Sequence, residues 1–305
     1  MSAVRPRLNL IGPGRLGQTL ARLWQQAGCV EMATIVGRDA SRAQAAAGFI
    51  GAGTTTSLAA MPPAALTLLS TPDDQLSATV AALAAQGTLS PGDVVLHCSG
   101  ALGSDMLAPL AQQGALTASI HPLKSFARPE LAIGDFAGTC CAHEGNPAAL
   151  ARLLPLFDAI GGRCFPIALE LKILYHAGAV LACNTLVALM EASLRTMEAA
   201  GLPRDLAWPA LRPLVEGTVH NIGALGTVQA LTGPIARGDA DTVTRQMTAT
   251  ASVDPLLGAI YRDLSQMALA LAAPQLPAAR REALEQALAM DAEAEKRYPS
   301  PPLRP

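Results

Sequence analysis

The stretch RLNLIGPGRLG, Arg7 to Gly17, constrains the fold more than any other part of the chain. A short apolar run ends directly in Gly12, Gly14 and Gly17 at G-x-G-x-x-G spacing, and a helical pattern follows from Arg15 to Ala27. Each glycine has its own task in such a strand-turn-helix unit. Gly12 permits the tight turn, Gly14 lets a ligand approach the backbone, and Gly17 lets the helix lie close on the strand. The first helical turn, through Arg15 and Leu16, offers unpaired N–H groups and the positive end of the helix dipole. That combination suits a pyrophosphate.

The pattern set by this unit continues. The β-rich runs MATIVG, ALTLLS, DVVLHCSG, ALTASIHP, GTCCAHE and GRCFPI alternate with helical or Ala-rich segments. Continuous Val/Ile/Leu runs between amphipathic helices predict a parallel, doubly wound α/β sheet covered on both faces. From Ala168 the strand signals stop, and Ala/Leu-rich helical runs continue to about Lys296, broken at GLPRD, WPALRP and LTGPIARGD. The expected organisation is a dinucleotide-binding domain over residues 1–167 and an all-helical domain over 168–305, with a proline-rich mobile tail from about 297.

About twenty residues beyond the glycines, an NAD site usually carries an acidic residue for the ribose hydroxyls. This chain has VGRDASR, in which Arg38, Ser41 and Arg42 suit a 2′-phosphate, so the expected cofactor is NADP. Asp39 is free either to cap the following helix or to take the ribose. Two loops at strand ends, with Ser70, Thr71 and Pro72 in one and Ser99 and Gly100 in the other, can line the nicotinamide ribose. Asp73 and Asp105 read as helix caps.

Composition removes several classes. A net charge of -2 and 3% aromatic residues argue against a nucleic-acid surface. The six cysteines show no metal-ligand spacing and read as reduced thiols, with Cys140 and Cys141 pointing to opposite faces of a strand. The chain opens without a signal-peptide pattern, and no apolar run of about 20 residues lacks a polar residue near its middle. A cytoplasmic protein with a small-molecule substrate, and with no nucleic-acid, metal or membrane partner, is the expectation.

Three polar constellations remain. ELKILYHAGAVLACNTLVALM, residues 170–190, reads as one buried helix carrying Lys172, His176 and Asn184 within an arc of roughly 120°. IHPLKSF places His121, with Lys124 and Ser125, just beyond a strand, where doubly wound sheets bind ligands. NIGALGTVQALTGPIARGD offers Asn221, Thr232 and Arg237, with Asp239 as a helix cap. His97 and His143 read as core or surface residues.

The segments HCSGAL, IHPLKSF, YHAGAVLACN and above all LTGPIARGD resemble a Rossmann-like family whose C-terminal half is a domain of unknown function, number 2520. The resemblance runs from Leu8 to about Ala272. That family is similar in plan to pyrroline-5-carboxylate reductase, ketopantoate reductase and the 6-phosphogluconate dehydrogenase superfamily, in which a helical domain dimerises and closes over the nicotinamide. The resemblance implies a homodimeric hydride-transfer enzyme. NTLVAL resembles the ketopantoate reductase segment of NPLTAL type, which matches Asn184 to its asparagine. His176 stands where that family has its lysine, and Lys172 lies one turn earlier, so either can be the proton donor. The His-Pro pair at His121 resembles prephenate dehydrogenases. The expected function is an NADP-dependent oxidoreductase acting on a small carbonyl or imine acid. The alternatives are a dimeric NADPH-binding regulator and an oxidative enzyme of prephenate dehydrogenase type.

Overall fold

The structure, a computed structural model, describes residues 5–289. It divides into two compact units, Met1–Ala182 and Cys183–Pro305. The first contains β1 (Arg7–Ile11), α1 (Arg15–Gln26), β2 (Glu31–Val36), α2 (Ala40–Ile50), β3 (Thr54–Thr56), β4 (Leu66–Leu69), α3 (Asp73–Gln86) and β5 (Val94–His97). It continues through α4 (Ala108–Ala111), β6 (Leu116–Pro122), α5 (Pro129–Ala132), β7 (Cys140–Gly145), α6 (Pro147–Ala159), β8 (Arg163–Pro166) and α7 (Lys172–Ala182).

These strands form one sheet in the order β3-β2-β1-β4-β5-β6-β7-β8. Strand order reverses between β1 and β4, so the carboxyl ends of these two strands flank the crevice where doubly wound sheets take ligands. Helices cover both faces, which is why β4 and β5 are buried at every residue. On one face Trp24 of α1 sits edge-on to Phe157 of α6 and donates its indole N–H to the Leu156 carbonyl at 3.0 Å. Asn9, fully buried in β1, donates to the Pro62 carbonyl at 2.7 Å and accepts from Thr34 of β2, which satisfies a polar side chain in an apolar layer.

Two departures from the expected sheet have physical causes. β7 runs antiparallel to β6, because the segment joining them holds only the single-turn α5 and no crossover helix that would bring the chain back in parallel. β3, three threonines long, is too short and polar to announce itself in the sequence.

The second unit comprises α8 (Asn184–Ala199), α9 (Arg204–Ala230), α10 (Pro234–Arg237), α11 (Ala240–Val253), α12 (Pro255–Ala272) and α13 (Ala278–Ala289). Its core gathers Ile235, Val243, Met247, Leu269, Leu284 and Leu288. α9 is two helices joined at Gly226, whose φ of 77° only glycine adopts readily. Asp239 caps α11, accepting from the Thr242 N–H at 3.0 Å, as its position before Ala240 suggests. The tail from about residue 297 lies outside the described residues.

The single buried helix expected over residues 170–190 is not formed. α7 ends at Ala182, Cys183 has non-helical torsions (φ -120°, ψ -65°), and Asn184 opens α8 in the second unit. The arc drawn through Lys172, His176 and Asn184 presumed one continuous helix, which is interrupted at Cys183. Nor is the helix surface buried: Ile173 and Leu174 are 63% and 70% exposed. By length and composition Leu169–Ala199 is apolar enough to cross a membrane, with a mean hydropathy of 1.7, and it carries Asn184 near its middle. It is nevertheless interrupted at Cys183, and it opens near a buried, ion-paired lysine.

Candidate functional site

Gly12 has φ 81°, and a Cβ there would stand 2.7 Å from the Thr71 nitrogen. The turn is thus pressed against the loop after β4, and the Ser70 hydroxyl donates to the Gly12 carbonyl. A Cβ on Gly17 would strike Ser70 and lie 2.9 Å from a Leu10 methyl, which is the close helix-strand packing the motif requires. At Gly14, by contrast, the nearest atom to a Cβ would be the Ser70 carbonyl at 3.6 Å, so the backbone there stays approachable. Gly14 is the N-cap of α1, with no side-chain cap and no acidic residue in the first turn. The free N–H groups and dipole of a twelve-residue helix therefore face outward for an anion.

A cavity of about 710 Å³ lies over this turn, lined among others by Arg15, Arg38, Arg42, Ser70, Thr71 and Pro72. Asp39 also borders it, but its Oδ1 already accepts from the Ser41 N–H (2.9 Å), the Ser41 hydroxyl (2.6 Å) and the Arg42 N–H (3.0 Å). Those bonds, the Ser41 hydroxyl first, hold its carboxyl below the usual range. Asp39 is the cap of α2. The exposed guanidinium groups of Arg38 and Arg42 remain to meet a phosphate, so the donor set fits an adenosine carrying a 2′-phosphate.

A smaller cavity of about 180 Å³ adjoins the first through Leu16, Ser70 and Thr71 and is also lined by Asp73, His97 and Ser99. Ser99 donates to Asp73 at 2.8 Å. Asp73 is thus not the cap of α3, whose N-cap is Pro72. Asp105 likewise lies inside a 3-10 turn, capped by Gly103, rather than at its start. His97 is buried, with Nε2 2.9 Å from the Gly103 carbonyl and Nδ1 3.2 Å from the Ser99 N–H. A carbonyl only accepts and an amide only donates, so the ring is neutral with its proton on Nε2. Burial pushes its pKa down to about 4.

Beyond this loop, β6 and α7 bring His121, Tyr175 and His176 together. His121 stands edge-on to His176, ring centroids 5.6 Å apart, and edge-on to Tyr175 at 5.7 Å. Its Nδ1 lies 3.0 Å from the Tyr175 hydroxyl. Both imidazoles converge on Gly100. A Cβ there would lie 2.9 Å from His121 Nε2 and collide with His176 Nδ1, so only glycine lets the two rings meet. Burial, then the neighbouring His176 and Lys172, push the His121 pKa down to about 4.

Lys172 answers differently from its neighbours on α7. It is 1% exposed, and its ammonium donates to Ser119 of β6 and, at 3.2 Å, to Glu144 of β7. Glu144 accepts further bonds from the Ser104 N–H (2.9 Å) and hydroxyl (2.6 Å). Burial lowers the lysine pKa while Glu144 opposes that shift. Lys172 is therefore committed to an internal ion pair that fastens the start of α7 to the sheet. This anchoring also explains why the first compact unit extends past residue 167 to Ala182.

Residues 1–122 match the model of a Rossmann-like domain, and residues 139–268 match the model of a domain of unknown function, DUF2520. This is a Rossmann-like chain that carries a DUF2520 domain. Among solved structures similar to the DUF2520 chain is protein TM1727 from Thermotoga maritima, at 26% identity and a TM-score of 0.68, covering 88% of this chain and 99% of that one. A reductive aminase from Aspergillus terreus, in complex with NADPH and ethyl-5-oxohexanoate, has 14% identity and a TM-score of 0.61, covering 95% of each chain. An imine reductase from Myxococcus stipitatus (V8 variant), in complex with NAD+, has 16% identity and a TM-score of 0.58, covering 87% of this chain and 94% of that one. The last two are likenesses of fold. No match was found among the curated proteins.

In the DUF2520 chain, then, the glycine turn, Arg15, Leu16, Arg38, Ser70, Thr71 and Pro72 border one continuous groove. Ser99 and Gly100 lie on the neighbouring loop, and His121 and His176 meet across Gly100. Asn184, Asn221, Thr232 and Arg237 belong to the second unit, where all four are exposed. Lys124 pairs with Asp135 at 2.9 Å. The sequence reading missed Tyr175 and Glu144. Tyr175 stood next to His176 in a run read for its polar residues, and a half-buried phenol beside an imidazole was the available signal. Glu144 gave none, because its partner is 28 residues away.

Proposed function

We propose that the chain is an NADP-dependent oxidoreductase that transfers hydride between nicotinamide and a small carbonyl or imine acid. The observation carrying this reading is the placement of two half-buried imidazoles, from β6 and α7, against Gly100 of the loop next to the glycine-turn groove. Ser70 and Thr71 bridge the two cavities of the groove, one beside Arg38 and Arg42 and the other beside Ser99. The first α1 turn would hold the pyrophosphate, and Arg38 with Arg42 would hold the 2′-phosphate. Nicotinamide bound in this groove would supply the hydride for an electrophilic carbon. His176 gives the matching proton to the heteroatom, and His121 shapes the pocket behind it. Lys172 takes no part as donor, since its ammonium is enclosed by Ser119 and Glu144. The likeness of fold to an imine reductase and a reductive aminase supports imines within the substrate class.

The test is a single-turnover assay of NADPH-loaded protein against panels of 2-keto acids and cyclic imines, followed by nicotinamide absorbance. At least one panel member consumes NADPH, and His176→Gln slows that step by roughly 100-fold or more while leaving NADPH affinity unchanged. Failure of every substrate, or full activity in the variant, removes the assignment.

The same reading includes a homodimer. Val187, Leu214 and Val219 of the second unit are 70%, 67% and 56% exposed, an apolar surface that a second copy would cover. Sedimentation at micromolar concentration is expected to give the dimer mass; a monomer alone would refute it.

A further inference from the structure

Among the six cysteines, all free thiols, two are neighbours in the fold although they lie on different strands. Cys141 of β7 is the register partner of Cys164 of β8, and the two strands run parallel. Register partners on adjacent strands stand about 4.8 Å apart, inside the window of roughly 4.4–6.8 Å between Cα atoms that a disulfide spans. Both side chains face the same core: Cys141 is fully buried in it, and Cys164 packs against it half-buried. A Cβ on Gly162, just before β8, would lie 3.4 Å from Cys141 Sγ, so this sulfur leans toward the strand that carries its partner. Cys140, next to it on β7, is exposed and points to the opposite face.

The two thiols are chemically unequal. The Cys141 S–H has two acceptors within reach, the Thr139 carbonyl at 3.5 Å and the Cys164 sulfur. Donation to Cys164, then burial, holds the Cys141 thiol above the ordinary cysteine range. The same hydrogen bond holds the Cys164 thiol below it. Cys164 thus gives up its proton more readily, and it is also the sulfur that solvent reaches. Burial pushes the neighbouring Cys98 thiol up to about 12, so it stays protonated. β8 is the last strand of the sheet and pairs on one side only, which leaves it free to draw in toward β7. The pair is separate from the glycine turn, since β4, β5 and β6 lie between it and β1.

We propose that Cys141 and Cys164 form a peroxide-sensitive dithiol site, in which Cys164 is oxidised first and Cys141 resolves it to a disulfide linking β7 to β8. The co-reactant is a hydroperoxide. The Cys164 sulfur attacks its terminal oxygen; the O–O bond breaks, water or an alcohol leaves, and Cys164 becomes a sulfenic acid. The Cys141 sulfur then attacks the Cys164 sulfur. The S–S bond forms, the S–O bond breaks, and the hydroxyl leaves as water with the Cys141 proton. The two sulfurs together lose two electrons, and the peroxide takes both. A thiol reductant reverses the link. Glu144 of β7 holds Lys172, and Phe165, next after Cys164, packs edge-on to Tyr175 with ring centroids 6.2 Å apart. The link therefore joins the two strands on which the start of α7 rests.

Treatment of the full chain with one equivalent of hydrogen peroxide, without nucleotide or substrate, tests the site. Thiol counting after denaturation is expected to show two of the six cysteines lost, and both regained with dithiothreitol. After alkylation and trypsin, the expected product joins residues 125–152, which hold Cys141, to residues 164–172, which hold Cys164. The first peptide also holds Cys140, so the reaction is repeated in Cys140→Ser, a change at an exposed position, where the link should persist. Cys141→Ser should lose the link and leave a Cys164 sulfenic acid that dimedone traps; Cys164→Ser should lose both link and trap. No link in the folded wild type, a link that survives Cys141→Ser, or one that Cys140→Ser abolishes overturns the proposal. A link that forms only in urea overturns it as well. The wild-type and Cys140→Ser arms need no substitution in the core, so they decide the matter even where Cys141→Ser does not fold. None of these readouts involves NADPH, so they stand or fall apart from the reductase assay.

Discussion

Replacing Lys172 with methionine is expected to lower the stability of the first unit by about 3–5 kcal/mol, the usual cost of removing one partner of a buried ion pair. The magnitude follows from what is left behind. Glu144 is 8% exposed and would keep only its two bonds from Ser104. A carboxylate with so little water around it either stays charged at a large cost or takes up a proton. Ser119, fully buried, would lose its donor as well. The pair itself adds little net stability relative to a well-packed apolar pair, because two ions had to be desolvated to form it. The double variant Lys172→Met with Glu144→Leu should therefore recover most of the loss. Denaturant titration followed through Trp24 emission, with Trp208→Phe as background, reads the transition of the first unit. A loss below about 1 kcal/mol in the single variant would show that water reaches Glu144 and that Lys172 is no anchor.

Gly12→Val should weaken NADPH binding by roughly 100-fold or more, from backbone strain alone of about 1–3 kcal/mol and from further displacement of the turn. Two separate obstacles act there. The residue sits at φ 81°, and its new side chain would meet the Thr71 backbone at 2.7 Å. Relief of the clash moves the turn away from the loop after β4, which lines the same groove. Arg38→Ala is a milder change, because the cradle survives and one charged hydrogen-bonding partner is lost. It should cost NADPH roughly 10–100-fold and leave NADH nearly unaffected.

Local rules made much of this molecule readable. The glycine spacing, the alternation of Val/Ile/Leu runs with helices, the cap at Asp239 and the opposite exposures of Cys140 and Cys141 all depend on residues close in sequence. What failed depends on partners far along the chain or on a break without punctuation. α7 stops at Ala182 with no proline or glycine to mark it, so an apolar run looked like one helix. The reversal of β7 is set by a connection that could have held a crossover helix. Lys172 was weighed as a proton donor beside His176, but a lysine's role is decided by the carboxylate it finds, and Glu144 lies on another strand. Asp73 looked like a cap because capping is a local habit; Ser99, brought over by the neighbouring strand, claims it instead.

The most direct measurement is calorimetric titration of the wild-type chain and Gly12→Val with NADPH and with NADH. The account expects saturable heat for NADPH, a weaker isotherm for NADH, and near loss of both in the variant. No heat from either nucleotide with the wild type, or equal affinity in wild type and variant, would contradict it.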